Sequence, residues 1–202
     1  DIDLSGHLWM PIGGRDKNGN GGSSTNPFSG VFDGQGHRIY GMVCSDTDNT
    51  DNMYKNYTAL FGILSDGTIR NLSVDGNVTA SANASILVGL LGTFGTSSAI
   101  LNCDVKGTIT TFAKNSVGAL IGSAYCGTIY NCSANCIIRM DNSQYCGELL
   151  GDVYSSSVTV VNCCWNAETI EQPIWDNFVN CYAIPANNTV DYAEKLDDVM
   201  VE

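Results

Sequence analysis

A short pattern of apolar and polar positions, centred on asparagine, recurs along the chain. An Ile, Val or Phe stands two positions before each of these asparagines, and a Leu or Cys stands one position after it. Side chains of a strand alternate between its faces, so both apolar positions can face one core only if the chain turns a corner at the asparagine. Asparagine tolerates the left-handed backbone angles that such a corner needs. The asparagines, separated by 31, 29, 31 and 18 residues, are Asn71, Asn102, Asn131, Asn162 and Asn180.

A second motif, which ends in Leu or Phe or Ile followed by glycine, has nearly the same period. It reads ALFG, GLLG, ALIG and ELLG, and its closing glycines are separated by 30, 30 and 29 residues. Two motifs that share a period of about 30 residues predict an all-β fold, a parallel β-helix of about six coils. Each glycine is expected to close a tight bend where a side chain would crowd the next coil. These glycines are Gly62, Gly92, Gly122 and Gly151.

Stacked coils, about 4.8 Å apart, would align the repeated side chains in columns. The corner amides are therefore predicted to form a hydrogen-bonded ladder. Its members are Asn71, Asn102, Asn131 and Asn162.

The chain has nine cysteines, so at least one lacks a partner within the chain. Cys103, Cys132 and Cys163 follow corner asparagines and are predicted to pack as small, buried thiols. Side chains in register point the same way, which is a poor geometry for a disulfide. A disulfide among four other cysteines stays open as an alternative: Cys126, Cys136, Cys146 and Cys164.

The motifs divide a single domain into three parts. Residues 1–42 are predicted to form an N-terminal cap and the first coil, residues 43–183 the repeat coils, and residues 184–202 a C-terminal cap or a link to the next element. Glu148 replaces the small first residue of the glycine motif, and the last asparagine spacing is short. Both features indicate that the coil ends or changes between residues 148 and 180.

The stretch FSGVFDGQGHRIYGM, residues 28–42, brings Asp33, His37 and Arg38 close together. A catalytic interpretation would need a nucleophile or a metal beside them, and the sequence supplies neither. We interpret the stretch as an edge of the first coil, in which Asp33 caps turn amides and His37 bonds back to Asp33. This interpretation aligns Ile39, Gly41 and Met42 of the first coil with Ile69, Asn71 and Leu72 of the next coil.

Charge excludes two classes of partner. The chain has 9 Lys and Arg against 21 Asp and Glu, a net charge of −12. This field repels phosphate backbones and anionic membrane surfaces, so no nucleic acid partner is expected. The longest strongly apolar run, ILVGLLG at 86–92, is too short to cross a bilayer, so no membrane insertion is expected.

No catalytic residue, metal or cofactor is predicted. The chain has two His, and its cysteine spacing matches no zinc site. The loop SDTDNTDN at 45–52 could offer calcium ligands, but it departs from the EF-hand pattern and a solvated loop is favoured. Sugar hydrolysis would need two facing acids, and three candidates are scattered among turns and outward positions. The candidate ligands are Asp46, Asp48 and Asp51, and the scattered acids are Asp75, Asp104 and Asp152.

The position before each corner is expected to face outward, yet it is mostly apolar. A row of exposed apolar side chains is unusual on a soluble surface. It would be covered by the segment VDYAEKLDDVMVE at 190–202, or it would bind a partner or another copy of the chain. The predicted binding residues are Tyr40, Leu101, Tyr130 and Val161, with Arg70 and Val179 in the same position.

The motifs together resemble the GLUG-motif repeat proteins. The resemblance rests on DIDLSGHLWMPIG at 1–13, PFSGVFDGQGHRIYGM at 27–42, LFG, TIRNLSV and the Asn-Cys repeats, and it covers residues 1–183. That family occurs in bacterial surface and secreted proteins and in the non-catalytic part of immunoglobulin-A-cleaving metallopeptidases. The resemblance implies a right-handed parallel β-helix on a secreted or cell-surface protein.

The expected function is that of a non-catalytic extracellular module, either adhesin-like or a spacer that displays other parts, with a protein or glycan partner. The chain starts at Asp1 without Met and is expected to be a segment of a larger or processed protein. Self-association through the coil ends is an alternative, because unpaired strand edges attract each other. Two other functions remain open: an accessory region of a secreted metallopeptidase, and a polysaccharide-acting β-helix enzyme.

Overall fold

The computed structural model of the chain describes residues 1–15, 25–47, 57–93, 95–112, 115–140, 145–166 and 178–184. These residues form strands and no helix. The strands are β1 (Ile2–Asp3), β2 (Leu8–Trp9), β3 (Gly14–Arg15), β4 (Thr25–Asn26), β5 (Val31–Ser45), β6 (Tyr57–Thr58), β7 (Phe61–Leu64), β8 (Thr68–Ala80), β9 (Asn83–Ala84), β10 (Val88–Leu91), β11 (Ala99–Thr111), β12 (Val117–Gly118), β13 (Ile121–Ala124), β14 (Gly127–Tyr130), β15 (Ser133–Met140), β16 (Cys146–Gly147), β17 (Leu150–Val153), β18 (Val158–Val161), β19 (Cys164–Asn166), β20 (Phe178–Val179) and β21 (Tyr182–Ile184).

Three parallel sheets build the fold. The main sheet has 11 strands: β1, β2, β5, β8, β11, β14, β15, β18, β19, β20 and β21. The second sheet contains β7, β10, β13 and β17 in that spatial order, and the third contains β6, β9, β12 and β16. Strands β3 and β4 form an antiparallel pair. In each repeat the chain passes through the third, second and main sheets in turn, which confirms the predicted parallel β-helix.

The β-helix has about four complete turns, fewer than the six coils expected. Three passages, β1 with β2, β5 alone, and β20 with β21, contribute strands to the main sheet. Within the described residues they contribute none to the second and third sheets. The chain thus crosses the main sheet seven times, and three of these passages belong to incomplete turns.

The corners occur at the asparagines. All five have positive φ angles between 52° and 56°, in the left-handed region that costs other residues about 1–2 kcal/mol. The turn lets both flanking apolar positions face inward: Ile100 and Cys103, on either side of Asn102, are buried. Ile69, Ile100, Ile129 and Val160 are fully buried and stack from coil to coil. Each such burial contributes about 1.5–3 kcal/mol.

In the stack of coils, the glycines do not align as their regular spacing in the sequence predicts. The strands of the second sheet pair through Phe61, Val88, Ile121 and Leu150. The glycine that follows each of these residues joins one column, which we call the glycine column: Gly62, Gly89, Gly122 and Gly151. Gly92 was therefore assigned wrongly. The connections between coils differ in length, so equal spacing in sequence did not mean equal position in the stack.

The glycine column lies within strands and not at the predicted bends. The prediction that a side chain would crowd the next coil is confirmed. A Cβ on Gly89 or Gly122 would lie 2.8 Å from the carbonyl oxygen of the preceding glycine in the column, and one on Gly151 would lie 2.5 Å from it. The strands can approach this closely only because these positions carry no side chain.

The first coil departs from its predicted alignment. Phe32 pairs with Ile69, and Ile39 pairs with Val74, so the assignment of Ile39 to the place of Ile69 is wrong. The register shifts between Asp33 and His37, because the first coil has two more residues at its corner than the second coil has. Gln35 (φ 53°) and Gly36 (φ 77°) make this corner in place of a single asparagine.

The last passage keeps the stacking. Val160 pairs with Phe178, and Cys164 pairs with Tyr182, although only 11 residues separate Asn166 from Phe178. The shortened asparagine spacing therefore does not disturb the main sheet. The predicted C-terminal cap, apart from Ile184, lies outside the described residues.

Candidate functional site

The residues before the corners form one outward column along the main sheet. Strand pairing places six residues in it, in the order Asp33, Arg70, Leu101, Tyr130, Val161 and Val179. Tyr40 was predicted for this column and does not belong to it. The longer corner of the first coil brings Asp33 into that place, whereas Tyr40 pairs with Asp3 and lies 5.3 Å from the guanidinium of Arg38.

The column has an apolar half, which we call the apolar stripe: Leu101, Tyr130, Val161 and Val179. Three of these side chains are partly exposed, and Val179 is 48% exposed. Backbone hydrogen bonds hold the stripe in register, from Asn131 N to Val161 O and from Asn162 N to Val179 O, each 3.0 Å. The segment 190–202, which was predicted as its cover, lies outside the described residues.

The other half of the column is an ion pair. Arg70 Nε donates to Asp33 Oδ2 at 2.9 Å. Asp33 Oδ1 accepts from Asn71 Nδ2 and from Gln35 N, both at 3.0 Å. The hydrogen bond from Asn71, followed by that from Gln35, holds the pKa of Asp33 below its usual value. Asp33 thus caps a turn amide as predicted, but the predicted bond from His37 is wrong: His37 Nδ1 lies 3.4 Å from Asp1 Oδ1.

The corner amides form a ladder beside this column. Asn102 Nδ2 donates to Asn71 Oδ1 at 3.1 Å, and Asn131 Nδ2 donates to Asn102 Oδ1 at 3.0 Å. The ladder breaks at Asn162, whose Nδ2 lies 3.4 Å from the hydroxyl of Tyr130. As a result, the buried Oδ1 atoms of Asn131 and Asn162 accept no hydrogen bond from any described residue.

The cysteines after the corners line the interior. Cys103 is 2% exposed, and Cys132 and Cys163 have no exposed surface. Each thiol donates to the carbonyl two residues earlier, at 3.2–3.3 Å. Burial raises the pKa of Cys132 well above its usual value. All nine cysteines, including Cys126, Cys136, Cys146 and Cys164, are free thiols in the structure.

Glu148 is fully buried. Its Oε1 accepts a hydrogen bond from Cys136 N at 3.2 Å. Burial, and after it the charge of Glu148, raises the pKa of Cys146 to about 12. The sequence marks Glu148 as unusual, since Ala59 and Ala119 hold the corresponding place in the motif. This signal did not reveal the interior hydrogen bond.

Two of the acids considered for sugar hydrolysis, Asp75 and Asp104, form local hydrogen bonds. Arg38 Nη2 donates to Asp75 Oδ2 at 2.5 Å, and Asp104 accepts from Ser73 Oγ at 2.5 Å. Asp46, a candidate calcium ligand, is buried and accepts from Ser81 N at 2.7 Å and Ser81 Oγ at 2.9 Å. Asp48 and Asp51 lie outside the described residues. No group of three His, Cys, Asp or Glu side chains within the described ranges is arranged to hold a metal ion.

Comparison with known proteins adds one relative. The chain is 36% identical over 98 residues to a protein of Evansella cellulosilytica that is provisionally described as a Gly-rich membrane protein. The match covers 45% of this chain and 10% of the relative's length. No family model matches the chain, and no solved structure matches it. A search of the described residues finds no helix that is long and apolar enough to cross a membrane.

Proposed function

We propose that this chain is a non-catalytic, extracellular module of a bacterial surface protein of the GLUG-repeat kind. In this role it is adhesin-like and binds a protein partner through the apolar stripe. The observation that carries the proposal is the register of the stripe. Adjacent coils of one parallel sheet hold its side chains outward, with the amide ladder beside them.

The chemistry of the stripe favours a protein partner. The centres of protein interfaces combine aromatic and apolar side chains with a polar rim. Tyr130 lies between Leu101 and Val161, and Thr128 and Thr159 supply polar groups in the neighbouring outward column. The net charge of −12 favours a partner whose rim is basic, because complementary charges speed encounter and select partners.

The extracellular location has two supports. The motifs resemble a family of bacterial surface and secreted proteins, and the relative from Evansella cellulosilytica is described as a membrane protein. The chain matches one tenth of that relative's length, as a module within a larger envelope protein would. An accessory region of a secreted metallopeptidase would fill the same non-catalytic role. A zinc-binding helix in the flanking gene sequence would identify that case.

The stripe can be tested by binding to purified extracellular proteins. Biolayer interferometry would use mucin, collagen, fibronectin and a second copy of the chain as probes, at about 10 µM. We expect one of the proteins other than the second copy to bind. We further expect Tyr130→Asp to weaken this binding at least about tenfold, because it places a charge at the centre of an apolar interface.

Ile137→Asp is the matched control, since it puts the same charge on an exposed apolar residue of the same turn, on β15 beyond the corner and outside the stripe and its polar rim. We expect it to leave binding within about threefold of the native value. Binding by none of the three extracellular proteins, or equal losses in the two variants, would overturn the assignment of the stripe. Release of reducing sugar from a polysaccharide panel would overturn the non-catalytic role.

A further inference from the structure

Two tyrosines stack on the outside of the last two complete turns. The rings of Tyr125 and Tyr154 have centroids 4.6 Å apart and planes inclined by 23°. Each follows the end of a strand of the second sheet, and Tyr154 is 52% exposed. An aromatic ring with an open face is a large apolar surface that water hydrates poorly.

The fold does not need aromatic residues at this place. Register aligns Leu64, Leu91, Ala124 and Val153, so the residues that follow them occupy equivalent positions. In the first two turns these residues are Ser65 and Gly92. The same backbone hydrogen bond is made in each coil, from Gly92 N to Leu64 O at 2.7 Å and from Tyr154 N to Ala124 O at 2.9 Å.

A second column changes its chemistry in the same two turns. Its members, in order, are Ile63, Leu90, Ser123 and Asp152. The first two are buried and apolar, whereas Ser123 is a buried hydroxyl and Asp152 is a partly exposed acid. The Oγ of Ser123 has no hydrogen-bond partner among the described residues. Aromatic and polar groups thus replace small and apolar ones together, next to each other, in one part of the molecule.

Ser116 and Asp152 both interact with the hydroxyl of Tyr154. Burial raises the pKa of Tyr154, a hydrogen bond from Ser116 opposes this shift, and the nearby Asp152 carboxylate reinforces it. These contacts hold the ring in place. A carboxylate has about four acceptor positions, so Asp152 can accept further hydrogen bonds.

We propose that Tyr125, Tyr154 and Asp152 form a subsite for a neutral pyranose ring of a glycan. The apolar C–H face of the sugar would pack on the open face of Tyr154, whose π electrons attract weakly polarised hydrogens. The sugar hydroxyls would donate to Asp152. The proposal goes beyond the protein-binding role proposed above, because it concerns a different ligand and a different surface from the apolar stripe.

The charges select among sugars. Asp152 would repel a uronate or a sulfated ring, and the net charge of −12 adds to this repulsion. Neutral hexoses therefore fit the subsite, and acidic polysaccharides do not.

Isothermal titration calorimetry with neutral hexasaccharides built of glucose or N-acetylglucosamine, and with oligogalacturonate as the acidic probe, tests the proposal. We expect at least one neutral glycan to bind and oligogalacturonate to bind at least about tenfold more weakly. Tyr154→Ser, which restores the residue found at Ser65, is expected to weaken glycan binding about tenfold, as loss of an aromatic contact does. Tyr154→Phe keeps the ring and is expected to retain binding within about threefold.

Tyr40→Ser is the matched control, because Tyr40 is a partly exposed tyrosine of β5 in the main sheet, several coils away from the stacked pair. It should bind glycan as the native protein does, and thermal melts would verify that each variant folds. If Tyr154→Ser does not fold, Asp152→Asn provides the second variant, with an expected loss of about threefold or more. No binding of neutral glycans, or equal binding by Tyr154→Ser, overturns the subsite.

The proposed glycan subsite and the proposed role of the apolar stripe can be refuted separately. Tyr130→Asp should leave glycan binding unchanged, and Tyr154→Ser should leave protein binding unchanged. Absence of neutral-glycan binding by the native protein, with protein binding retained, would therefore refute the subsite without touching the proposed protein-binding role. The reverse result would refute the stripe alone.

Discussion

The corner asparagines carry two physical tasks at once. Their backbones adopt a left-handed φ of 52–56°, which most residues avoid because Cβ approaches the next carbonyl oxygen. Their amides then join successive coils, from Asn102 to Asn71 and from Asn131 to Asn102. At one end of this ladder, Asp33 accepts a hydrogen bond from the side-chain amide of Asn71. Asparagine suits this position better than glycine, because glycine could adopt the same φ angle but has no side-chain amide to join the ladder.

The buried thiols predict a loss of stability at high pH. Burial raises the pKa of Cys44 and Cys146 to about 12, from a usual value of 9.0. Above pH 9 the unfolded chain releases these protons while the folded chain retains them until about pH 12. The free energy of unfolding should therefore fall across this window, by up to about 1.4 kcal/mol per pH unit for each thiol.

Urea unfolding midpoints at about pH 8 and pH 10.5, in a reducing buffer, measure this loss. A variant with both Cys44→Ala and Cys146→Ala should lose less stability between the two pH values than the native protein does. If the double variant loses as much, the two thiols are not the source of the effect.

At the scale of elements, the close approach of strands in the second sheet depends on the glycine column. Each glycine faces the carbonyl oxygen of the glycine before it, at distances that no Cβ could share. Aligning the sequence at equal intervals placed Gly92 in this column instead of Gly89. The residue before the glycine could not separate the two, because Leu91, which precedes Gly92, is as large, apolar and buried as Val88.

Gly151→Ala should destabilise the protein by about 1–3 kcal/mol, the usual cost of an overpacked interior. Its Cβ would lie 2.5 Å from Gly122 O and 2.5 Å from Val117 N, and backbone atoms at these positions cannot turn aside as a side chain can. Urea denaturation followed by circular dichroism gives the change in free energy of unfolding.

Gly30→Ala is the control for the glycine substitution. Its Cβ would meet only the ring of Phe28, at 3.3 Å or more, and the ring can shift. We expect Gly30→Ala to change stability by less than about 1 kcal/mol. Equal effects of the two substitutions would show that crowding in the glycine column is not what limits Gly151.

At the scale of the whole molecule, the coils are repeated units that stack in register. Deletion of residues 100–128 joins Ala99 to Ile129, and strand pairing puts Ile129 at the position that Ile100 occupied. Inward and outward faces would be preserved in the shortened chain. It should therefore fold as a parallel β-helix with one turn fewer and a lower melting temperature, because each repeat contributes its own interfaces to stability.

A deletion out of register provides the comparison. Removal of residues 100–121 joins Ala99, in the main sheet, to Gly122, in the second sheet, and so connects positions on different faces. Circular dichroism and thermal melting should show a cooperative fold for the first deletion and none for the second. If both variants unfold cooperatively at the same temperature, the coil is not the unit of stability.

The sequence by itself determined the parallel β-helix, the asparagine corners and the buried thiols, because each follows from a local pattern that repeats. Which residues meet outside the repeated columns was decided only by the tertiary structure. Asp33 lies beside Arg70 because the first corner has two extra residues. Tyr125 stacks on Tyr154, and Glu148 bonds to Cys136, because strand pairing brings distant parts of the chain together. Connections of unequal length change sequence spacing without changing the stack, so spacing alone could not give these contacts.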